Sequence, residues 1–403
     1  MRSEASVTWV PVKDLGDVRM GKQLSPASRT GAGQWPYLRV ANVYEGRIDY
    51  SDVNSMAFSA AERETYGLLP GDILLNEGQE NLMMVGRSAL YDGAPGAFCF
   101  QNTLIRFRPG PAVVPEFAQA VFVWWRANAV FAGIAEKTSI SHLGGSRFGA
   151  LLFPLISVAA QRRIVDVIDG FAELERGIEA SIAKLRSVRQ GTLLDFMSRI
   201  QPEWTPVRDL GEVRMGKQLS PDGRAALEQF PYLRVANVKA GWIDYSDVNT
   251  MGFTKSERSV YGLVPGDILL NEGQSLELVG RSAIYREAPG KFFFQNTLVR
   301  FRPERRVIPE YAQIIFEYWL QVGVFAGIAK KTTSIAHLGG ERFAGLGFPL
   351  VSLPEQRSLV TAISACDANI EGEVRELNKL RQLKLGLVDD LLSGRVAVST
   401  ATA

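Results

Sequence analysis

The chain has 403 residues, of which 46% are apolar and 22% are charged, a composition typical of a globular protein with two or three domains. Its 45 basic and 43 acidic residues give a formal net charge of only +2, which excludes polyanion binding driven by a global positive field. The longest apolar stretches, such as residues 150–160, are shorter than the ~20 residues of a membrane-spanning helix, and the N-terminal residues lack the apolar core of a signal peptide. The sequence therefore predicts a cytoplasmic protein without a membrane partner.

The dominant feature of the sequence is an internal repeat. The segment PGDILLNEGQ begins at Pro70 and again at Pro265. Further shared segments occur in the same order in both halves, among them VRMGKQLSP, PYLRVANV, IDYSDVN, FQNTL and HLGG. The register slips by one residue after Gln79 and recovers near Ser139, as expected for loops. The period is far longer than the ~20–50 residues of a solenoid unit, so each copy should contain a complete domain.

Each copy begins with segments that are typical of short strands. Alternating or continuously apolar stretches, such as YLRVANV, GDILLN and TLIRFRP, are separated by turn-forming residues. One helix is predicted after them, because Pro115 suits the first turn of a helix and Gly133 can end it. Its apolar face includes Trp124 and Trp125, which we interpret as packing residues rather than as a platform for stacking bases. Each copy is therefore expected to hold an α+β domain.

A long amphipathic helix follows each domain. Apolar residues recur every three or four positions from Ile164 to Val188, and again from Val360 to Leu391. A lone helix of this length needs a partner for its apolar stripe, and the helix of the other copy can supply it. Only residues 199–204 join the first helix to the second domain, so the helices should run antiparallel and relate the copies by a pseudo-twofold axis. The predicted segments are a domain at 1–155, a helix at 156–198, a domain at 199–350, a helix at 351–396 and a tail at 397–403.

Motifs for catalysis or metal binding are absent from the sequence. It has no Walker-type phosphate loop, no paired-histidine metal motif, no G-x-S-x-G elbow and no G-x-G-x-x-G after a strand. Its two histidines, His142 and His337, occur once in each copy without a recognisable nucleophile or metal ligand nearby. Its two cysteines, Cys99 and Cys366, align with phenylalanines of the other copy, which favours core positions over a metal site or a disulfide. We therefore expect no metal, no cofactor and no catalysis in this chain.

Polar loops rich in hydrogen-bond donors and acceptors are common to both copies. Asn and Gln side chains can pair with adenine, Lys and Arg with guanine, and Glu can accept from cytosine, so these loops predict contacts to double-stranded DNA. Any single Asn or Gln could equally bond the backbone of its own turn. The candidate DNA-binding residues of the first copy are Lys22, Gln23, Ser25, Arg39, Asn42, Asn76, Glu77, Gln79, Gln101, Asn102, Lys137, Thr138, Ser139, His142 and Arg147. Those of the second copy are Lys217, Gln218, Ser220, Arg234, Asn237, Asn271, Glu272, Gln274, Gln295, Asn296, Lys331, Thr332, Thr333, Ser334, His337 and Arg342.

Several short motifs resemble those of one known family. They are YLRVANV followed by GDILL, the FPL and QR segments at the start of each long helix (153–163 and 348–357), and LLSGRV at 391–396. With the order domain, helix, domain, helix, they make nearly the whole chain similar to a specificity subunit of a bacterial type I restriction-modification system. The resemblance implies two target-recognition domains joined by spacer helices. It also implies a bipartite DNA site, with two methyltransferase subunits and restriction subunits as partners on the spacer helices.

The same resemblance implies that the chain is not itself an enzyme. The sequence contains no N/D-P-P-Y/F tetrapeptide of a methyltransferase, and S-adenosylmethionine and ATP are then expected in the partner subunits. The two domains are more alike than is usual in this family, so the predicted site is an inverted repeat, palindromic or nearly so. Its half-site centres should lie about one turn, roughly 10 base pairs, apart. Two alternatives stay open, namely a stand-alone DNA-binding regulator and a duplicated protein-interaction scaffold.

Overall fold

The structure is a computed structural model that describes residues 7–137, 141–221, 223, 226–331, 335–393 and 395, without the side chains of Gln79 and Lys137. Its elements fall into two compact units. Unit 1 combines the residues up to Ala180 with those from Val374 onward, and unit 2 comprises Ser181–Glu373. Each unit holds one predicted domain and part of both long helices, and the division into five consecutive segments stays a prediction. Among the described residues, no helix combines the length and the hydropathy needed to cross a bilayer.

Unit 1 combines short strands with helices. Its strands are β1 (Thr8–Pro11), β2 (Gly16–Met20), β3 (Gln34–Leu38), β4 (Val43–Tyr44), β5 (Arg47–Ile48), β6 (Asn54–Ala57), β7 (Ile73–Asn76), β8 (Gly78–Gln79), β9 (Ser88–Leu90), β10 (Cys99–Phe100), β11 (Leu104–Pro109), β12 (Glu136–Lys137), β13 (Ser141–His142) and β14 (Leu152–Leu155). Its helices are α1 (Pro26–Thr30), α2 (Ala60–Tyr66), α3 (Pro115–Ala127), α4 (Val130–Ile134), α5 (Gly145–Ala150) and the beginning of α6 (Val158–Arg199). The sheets have the strand orders β2-β11-β7-β9, β10-β3-β6, β8-β13-β12, β1-β14 and β4-β5.

Unit 2 repeats this arrangement. Its strands are β15 (Glu203–Pro206), β16 (Gly211–Met215), β17 (Phe230–Leu233), β18 (Asn249–Met251), β19 (Ile268–Asn271), β20 (Gly273–Gln274), β21 (Ser282–Ile284), β22 (Phe293–Phe294), β23 (Leu298–Pro303), β24 (Lys330–Lys331), β25 (Ala336–His337) and β26 (Gly347–Leu350). Its helices are α7 (Lys255–Tyr261), α8 (Pro309–Gln321), α9 (Val324–Ile328), α10 (Gly340–Ala344) and the beginning of α11 (Leu353–Leu392). The sheets have the orders β16-β23-β19-β21, β18-β17-β22, β20-β25-β24 and β15-β26.

Helix α3 packs on the four-stranded sheet of unit 1 through its aromatic face. Phe122 lies with its ring centroid 5.2 Å from that of Phe148 and 5.5 Å from that of Phe107, in edge-on geometry. Trp125 is buried, and the half-buried Trp124 donates a hydrogen bond of 2.9 Å from Nε1 to Asp389 Oδ1. The prediction that these tryptophans pack inside the protein is thereby confirmed. Aromatic contacts of this kind hold the sheet and helix together beyond simple burial of area.

The long helices pair antiparallel within each unit. In unit 1, Glu179 contacts Arg381 at 2.6 Å and Glu175 contacts Lys384 at 3.1 Å. In unit 2, Ser181 donates to Glu373 at 2.9 Å, and the ion pair between Arg189 and Asp367 has a distance of 2.6 Å. In each unit the residue number falls along α11 as it rises along α6. The predicted α+β class with antiparallel spacer helices is confirmed.

Candidate nucleic-acid interface

Two of the predicted DNA-contacting segments are neighbouring strands in the structure. In unit 1, β13 pairs on one side with β8, which follows Glu77, and on the other with β12. In unit 2, β25 pairs in the same way with β20 and β24. We call each of these three-stranded sheets the small sheet of its unit. Each small sheet thus joins the NEGQ segment to the segment before HLGG, more than sixty residues later in the chain.

A histidine–carboxylate pair occupies each small sheet. His142 Nδ1 lies 2.9 Å from Glu77 Oε2, and His337 Nδ1 lies 3.0 Å from Glu272 Oε2. The histidine side chains are 43% and 42% exposed, whereas the glutamates are 14% and 15% exposed. A largely buried carboxylate therefore orients a ring that stays accessible to a ligand. The preorganised ring can present a donor or an acceptor to a base edge or a phosphate.

An arginine fixes the turn that follows each histidine. Arg147 donates from Nη2 to the His142 carbonyl and from Nε to the Leu143 carbonyl, both at 2.9 Å. Arg342 donates from Nη2 to the His337 carbonyl at 2.6 Å. Gly144 in this turn has φ +72°, a left-handed conformation that glycine adopts without a Cβ clash. The guanidinium groups therefore brace the backbone beneath the small sheets.

Backbone hydrogen bonds connect the small sheet of unit 1 to two further predicted loops. Leu143 N–H donates to the Glu77 carbonyl at 2.8 Å, and Glu77 N–H donates to the Thr103 carbonyl at 3.0 Å. Asn102 N–H donates to the Lys22 carbonyl at 3.0 Å. The counterparts in unit 2 have the same bonds, at 2.7, 2.9 and 3.0 Å. The structure therefore brings the four loop segments around residues 22, 77, 102 and 142 together on one backbone network.

The side chain of Lys22 points into the protein rather than toward a ligand. Its Nζ donates to the Ala57 carbonyl at 2.7 Å, lies 2.7 Å from Glu62 and sits 4.9 Å above the Phe58 ring centroid. Lys217 makes the equivalent contacts with Gly252, Glu257 and Phe253 in unit 2. Each ammonium thus binds a carbonyl and a carboxylate, which gives the two lysines a structural role, and their contact with DNA stays a prediction.

Four predicted asparagines are buried and brace loops instead. Asn42 donates from Nδ2 to the Asp49 carbonyl at 2.9 Å and to the Asp52 carbonyl at 2.8 Å, and its Oδ1 accepts from Arg39 N–H at 3.0 Å. Asn237 repeats these bonds in unit 2. Asn76 and its counterpart Asn271 have no exposed surface. Their burial argues against direct contact with a base edge in this conformation, and DNA contact by these four amides stays a prediction.

Further candidates are at least partly exposed. Arg39 and Arg234 each contact an aspartate that is mostly exposed, at 2.7 and 2.6 Å. The hydroxyl of Ser25 caps α1, and that of Ser220 accepts from Gly223 N–H at 3.1 Å. The remaining exposed or half-exposed candidates in the described part of the chain are Gln23, Gln101, Asn102, Gln218, Gln274, Gln295, Asn296 and Lys331.

Comparison with known proteins identifies the relationship. No protein-family model matches the chain. The chain is 21% identical over 371 residues to the type I restriction enzyme EcoKI specificity subunit of Escherichia coli K12, covering 85% of this chain and 77% of that protein. Its structure superposes on that of the HsdS subunit from Thermoanaerobacter tengcongensis over 97% of each chain, with a TM-score of 0.54 at 14% identity. A chain from a structure of a type I R-M system gives a TM-score of 0.62 at 15% identity, with coverages of 97% and 98%.

The chain is therefore similar in sequence to a type I restriction enzyme specificity subunit and shares its fold with HsdS subunits.

The QR segment at the start of each long helix has a structural explanation. Gln161 is fully buried at the start of α6, where its Oε1 accepts from Val114 N–H at 2.7 Å. Its Nε2 donates to the Ala112 carbonyl at 2.9 Å and to the Ile156 carbonyl at 2.8 Å. Gln356 makes the equivalent three bonds in unit 2. The glutamine thus ties the long helix to the loop before α3 and to the strand that leads into α6.

Some of the candidate residues lie outside the described part of the chain. Thr138, Ser139, Thr332, Thr333 and Ser334 lie outside the described residues, as do the side chains of Gln79 and Lys137. Within the described part of the chain, no group of three potential ligands is arranged to hold a metal ion. Sequence reasoning missed Glu136, which contacts Arg147 at 2.6 Å in the small sheet of unit 1. The signal in the sequence is a reversal of charge between the copies, because Lys330 occupies the matching position of the second copy.

Two substitutions can distinguish whether Arg147 braces the backbone or contacts a phosphate. Because its guanidinium binds two carbonyls in a fixed geometry, we expect Arg147→Lys to weaken DNA binding as much as Arg147→Met. The slope of log K against log salt should stay as in the wild type for the lysine variant. Fluorescence anisotropy with a DNA duplex at several salt concentrations measures both quantities. Full rescue by lysine would instead assign Arg147 to a simple phosphate contact.

Proposed function

We propose that the chain is the DNA-recognition subunit of a type I restriction-modification complex and has no catalytic activity of its own. The proposal rests on one observation above all. Each unit presents the same small sheet, with a half-exposed histidine held by a carboxylate and joined to neighbouring polar turns. Such a surface offers donors and acceptors on a rigid backbone, as base recognition requires.

The proposed partners are double-stranded DNA and two methyltransferase subunits, with restriction subunits in the complete system. The long helices carry exposed apolar side chains that suit a protein interface, among them Leu174 and Leu385, which are 58% and 63% exposed. S-adenosylmethionine and ATP are assigned to the partner subunits. The likeness to the EcoKI specificity subunit supports this division of labour.

The proposed target is a bipartite site whose halves are inverted copies or nearly so. The two units expose closely similar side chains, so they should prefer closely similar half-sites. The antiparallel pairing of α6 with α11 favours an inverted over a direct repeat. Departures from palindromy should arise where the copies differ, as in 27–34 against 222–229, in 80–84 against 275–278, and in the loop lengthened near Thr332.

Methylome sequencing tests this proposal. Cells that carry the chain with its cognate methyltransferase should show methylation at an inverted repeat with an unread spacer and half-site centres about 10 base pairs apart. Two unrelated half-sites or a direct repeat would contradict the proposed symmetry. Methyl transfer or cleavage by the purified chain alone, supplied with S-adenosylmethionine, would contradict the proposed division of labour. Absence of salt-dependent DNA binding would favour the protein-interaction scaffold.

A further inference from the structure

The small sheets of the two units differ in charge at one matched position. Glu136 on β12 of unit 1 corresponds to Lys330 on β24 of unit 2, since both precede a lysine in the otherwise shared segment that follows FAGIA. Both residues pair with the histidine of the neighbouring strand, Glu136 with His142 and Lys330 with His337. The position is therefore equivalent in backbone register and opposite in charge.

The contacts of the two arginines differ accordingly. Glu136 is 70% exposed, and its Oε1 lies 2.6 Å from Arg147 Nη1, so part of the arginine charge in unit 1 is neutralised. In unit 2 a lysine cannot accept from Arg342, whose Nε donates to the Ile328 carbonyl at 2.8 Å. Lys330 and Lys331 are both exposed on β24. Unit 2 thus presents basic side chains where unit 1 presents an ion pair.

Formal charges over the matched positions show the size of the difference. At positions 77, 136, 137 and 147 the sequence of unit 1 has two carboxylates (Glu77, Glu136) and two basic residues (Lys137, Arg147). Unit 2 has one carboxylate (Glu272) and three basic groups (Lys330, Lys331, Arg342) around His337. With neutral histidines the first set has no net charge and the second has a net charge of +2, which falls to +1 when Glu341, the counterpart of Ser146, is included. Each phosphate contacted by a cationic group contributes about 0.9 to the salt slope of binding to duplex DNA, so this difference is measurable.

We propose that Glu136 and Lys330 make the two units unequal binders of the DNA backbone, with Lys330 contacting a phosphate that unit 1 leaves uncontacted. This inference rests on the proposed DNA-binding function. Base recognition remains similar in both units because the histidine, its carboxylate and the bracing arginine are shared. The carboxylate of Glu136 instead repels phosphate. An almost palindromic site is then bound with unequal backbone contacts in its two halves.

Charge substitutions in the complete methyltransferase complex test this inference. The readout is the salt slope for a duplex that carries the site found by methylome sequencing. We expect Lys330→Glu to reduce the slope by about 0.9 and Glu136→Lys to increase it by about 0.9. The double swap should restore the wild-type slope, and Lys330→Arg should leave it unchanged. Because both positions are exposed, circular dichroism of the variants should match that of the wild type.

Neutral methylphosphonate linkages give a second, independent readout. A nearly palindromic site can bind the complex in two orientations. If only unit 2 makes the phosphate contact, neutral linkages in one half-site should abolish only the orientation that places unit 2 on that half-site. The same linkages in both half-sites should reproduce the full effect of removing the Lys330 charge. Unchanged slopes in both single variants, with specific binding intact, would overturn this inference and leave the proposed function standing. Absence of specific, salt-dependent binding by the wild-type complex would overturn the proposed function itself.

Discussion

Replacing Asp72 by alanine should destabilise unit 1 by about 3 kcal/mol, the low end of the cost of breaking a buried ion pair, because Asp72 is buried whereas the Arg108 side chain is 31% exposed. Asp72 has no exposed surface and accepts from Arg108 at both carboxylate oxygens, at 2.7 and 2.8 Å. Its Oδ2 also accepts from Leu69 N–H at 2.8 Å, which closes the turn before β7. The hydrogen bonds that Arg108 donates to Asp72 raise the pKa of Arg108. A guanidinium stays charged at neutral pH even without a partner. The alanine variant therefore leaves a charged group without its counterion.

Hydrogen exchange measured by mass spectrometry can localise this effect. Peptides of unit 1 should exchange faster in Asp72→Ala, with the lost free energy read from the protection of the core strands. The matched variant in unit 2 is Asp267→Ala, since Asp267 binds Arg302 at 2.6 and 2.8 Å. It should accelerate exchange in unit 2. A double variant, Asp72→Leu with Arg108→Met, should be less destabilised than Asp72→Ala, because no charge is left unpaired. Equal destabilisation of the double variant would show that the turn, rather than the ion pair, dominates.

The repeated PGD segment illustrates what sequence could predict and what it could not. A Pro-Gly turn before a buried strand was readable from residue types alone, and Gly71 has φ +93° in that turn. The partner of the aspartate was not readable, because Arg108 lies on β11 and joins it through long-range pairing of β7 with β11. Local patterns specify turns and periodicity, whereas the choice of partner strands depends on the whole fold.

The long helices were the most predictable part of the chain. Their apolar spacing extends over many turns, and the short connection at residues 199–204 favours antiparallel packing. The candidate interface was less predictable, because polar residues in loops have two competing uses. Asn42 looked like a base-reading amide, yet its three hydrogen bonds hold the backbone of its own loop. No local signal distinguishes an amide that binds a ligand from one that satisfies buried backbone groups.

The pairing of NEGQ with the segment before HLGG also lay beyond sequence reasoning. Strands β8 and β13 are two residues long, too short to give an alternating pattern. Both segments were predicted to meet DNA only because both are polar. Their contact in the small sheet, through the pairs Gln79–Ser141 and Gly78–His142, is a finding of the structure. That contact makes one surface from two predicted loops, and DNA binding by that surface stays a prediction.

Replacing Gln161 by glutamate should destabilise unit 1 by an amount that grows with pH. The variant keeps an acceptor for Val114 N–H but, when ionised, cannot donate to the Ala112 and Ile156 carbonyls. Each buried polar group left unsatisfied costs about 1–3 kcal/mol, so the loss should be on the order of 2–6 kcal/mol at neutral pH. Burial and the two facing carbonyls should raise the pKa of the new carboxyl above the ~4.3 of an exposed glutamate.

The sign of the pH dependence follows from that raised pKa. Below about pH 4 the carboxyl is protonated in both the folded and unfolded states and can donate one of the two lost bonds, so the deficit is smallest. As pH rises from there through the raised pKa of the folded state, the unfolded state ionises more readily and stability is lost.

Urea unfolding of the variant and the wild type at each pH, followed by hydrogen exchange of unit 1, measures the difference. Gln161→Met, which has no ionisable group, should show a deficit that does not vary with pH, and Gln356→Glu should move the same effect to unit 2. A pH-independent deficit in Gln161→Glu would mean that the site opens to solvent and that the glutamine does not hold the helix to its domain.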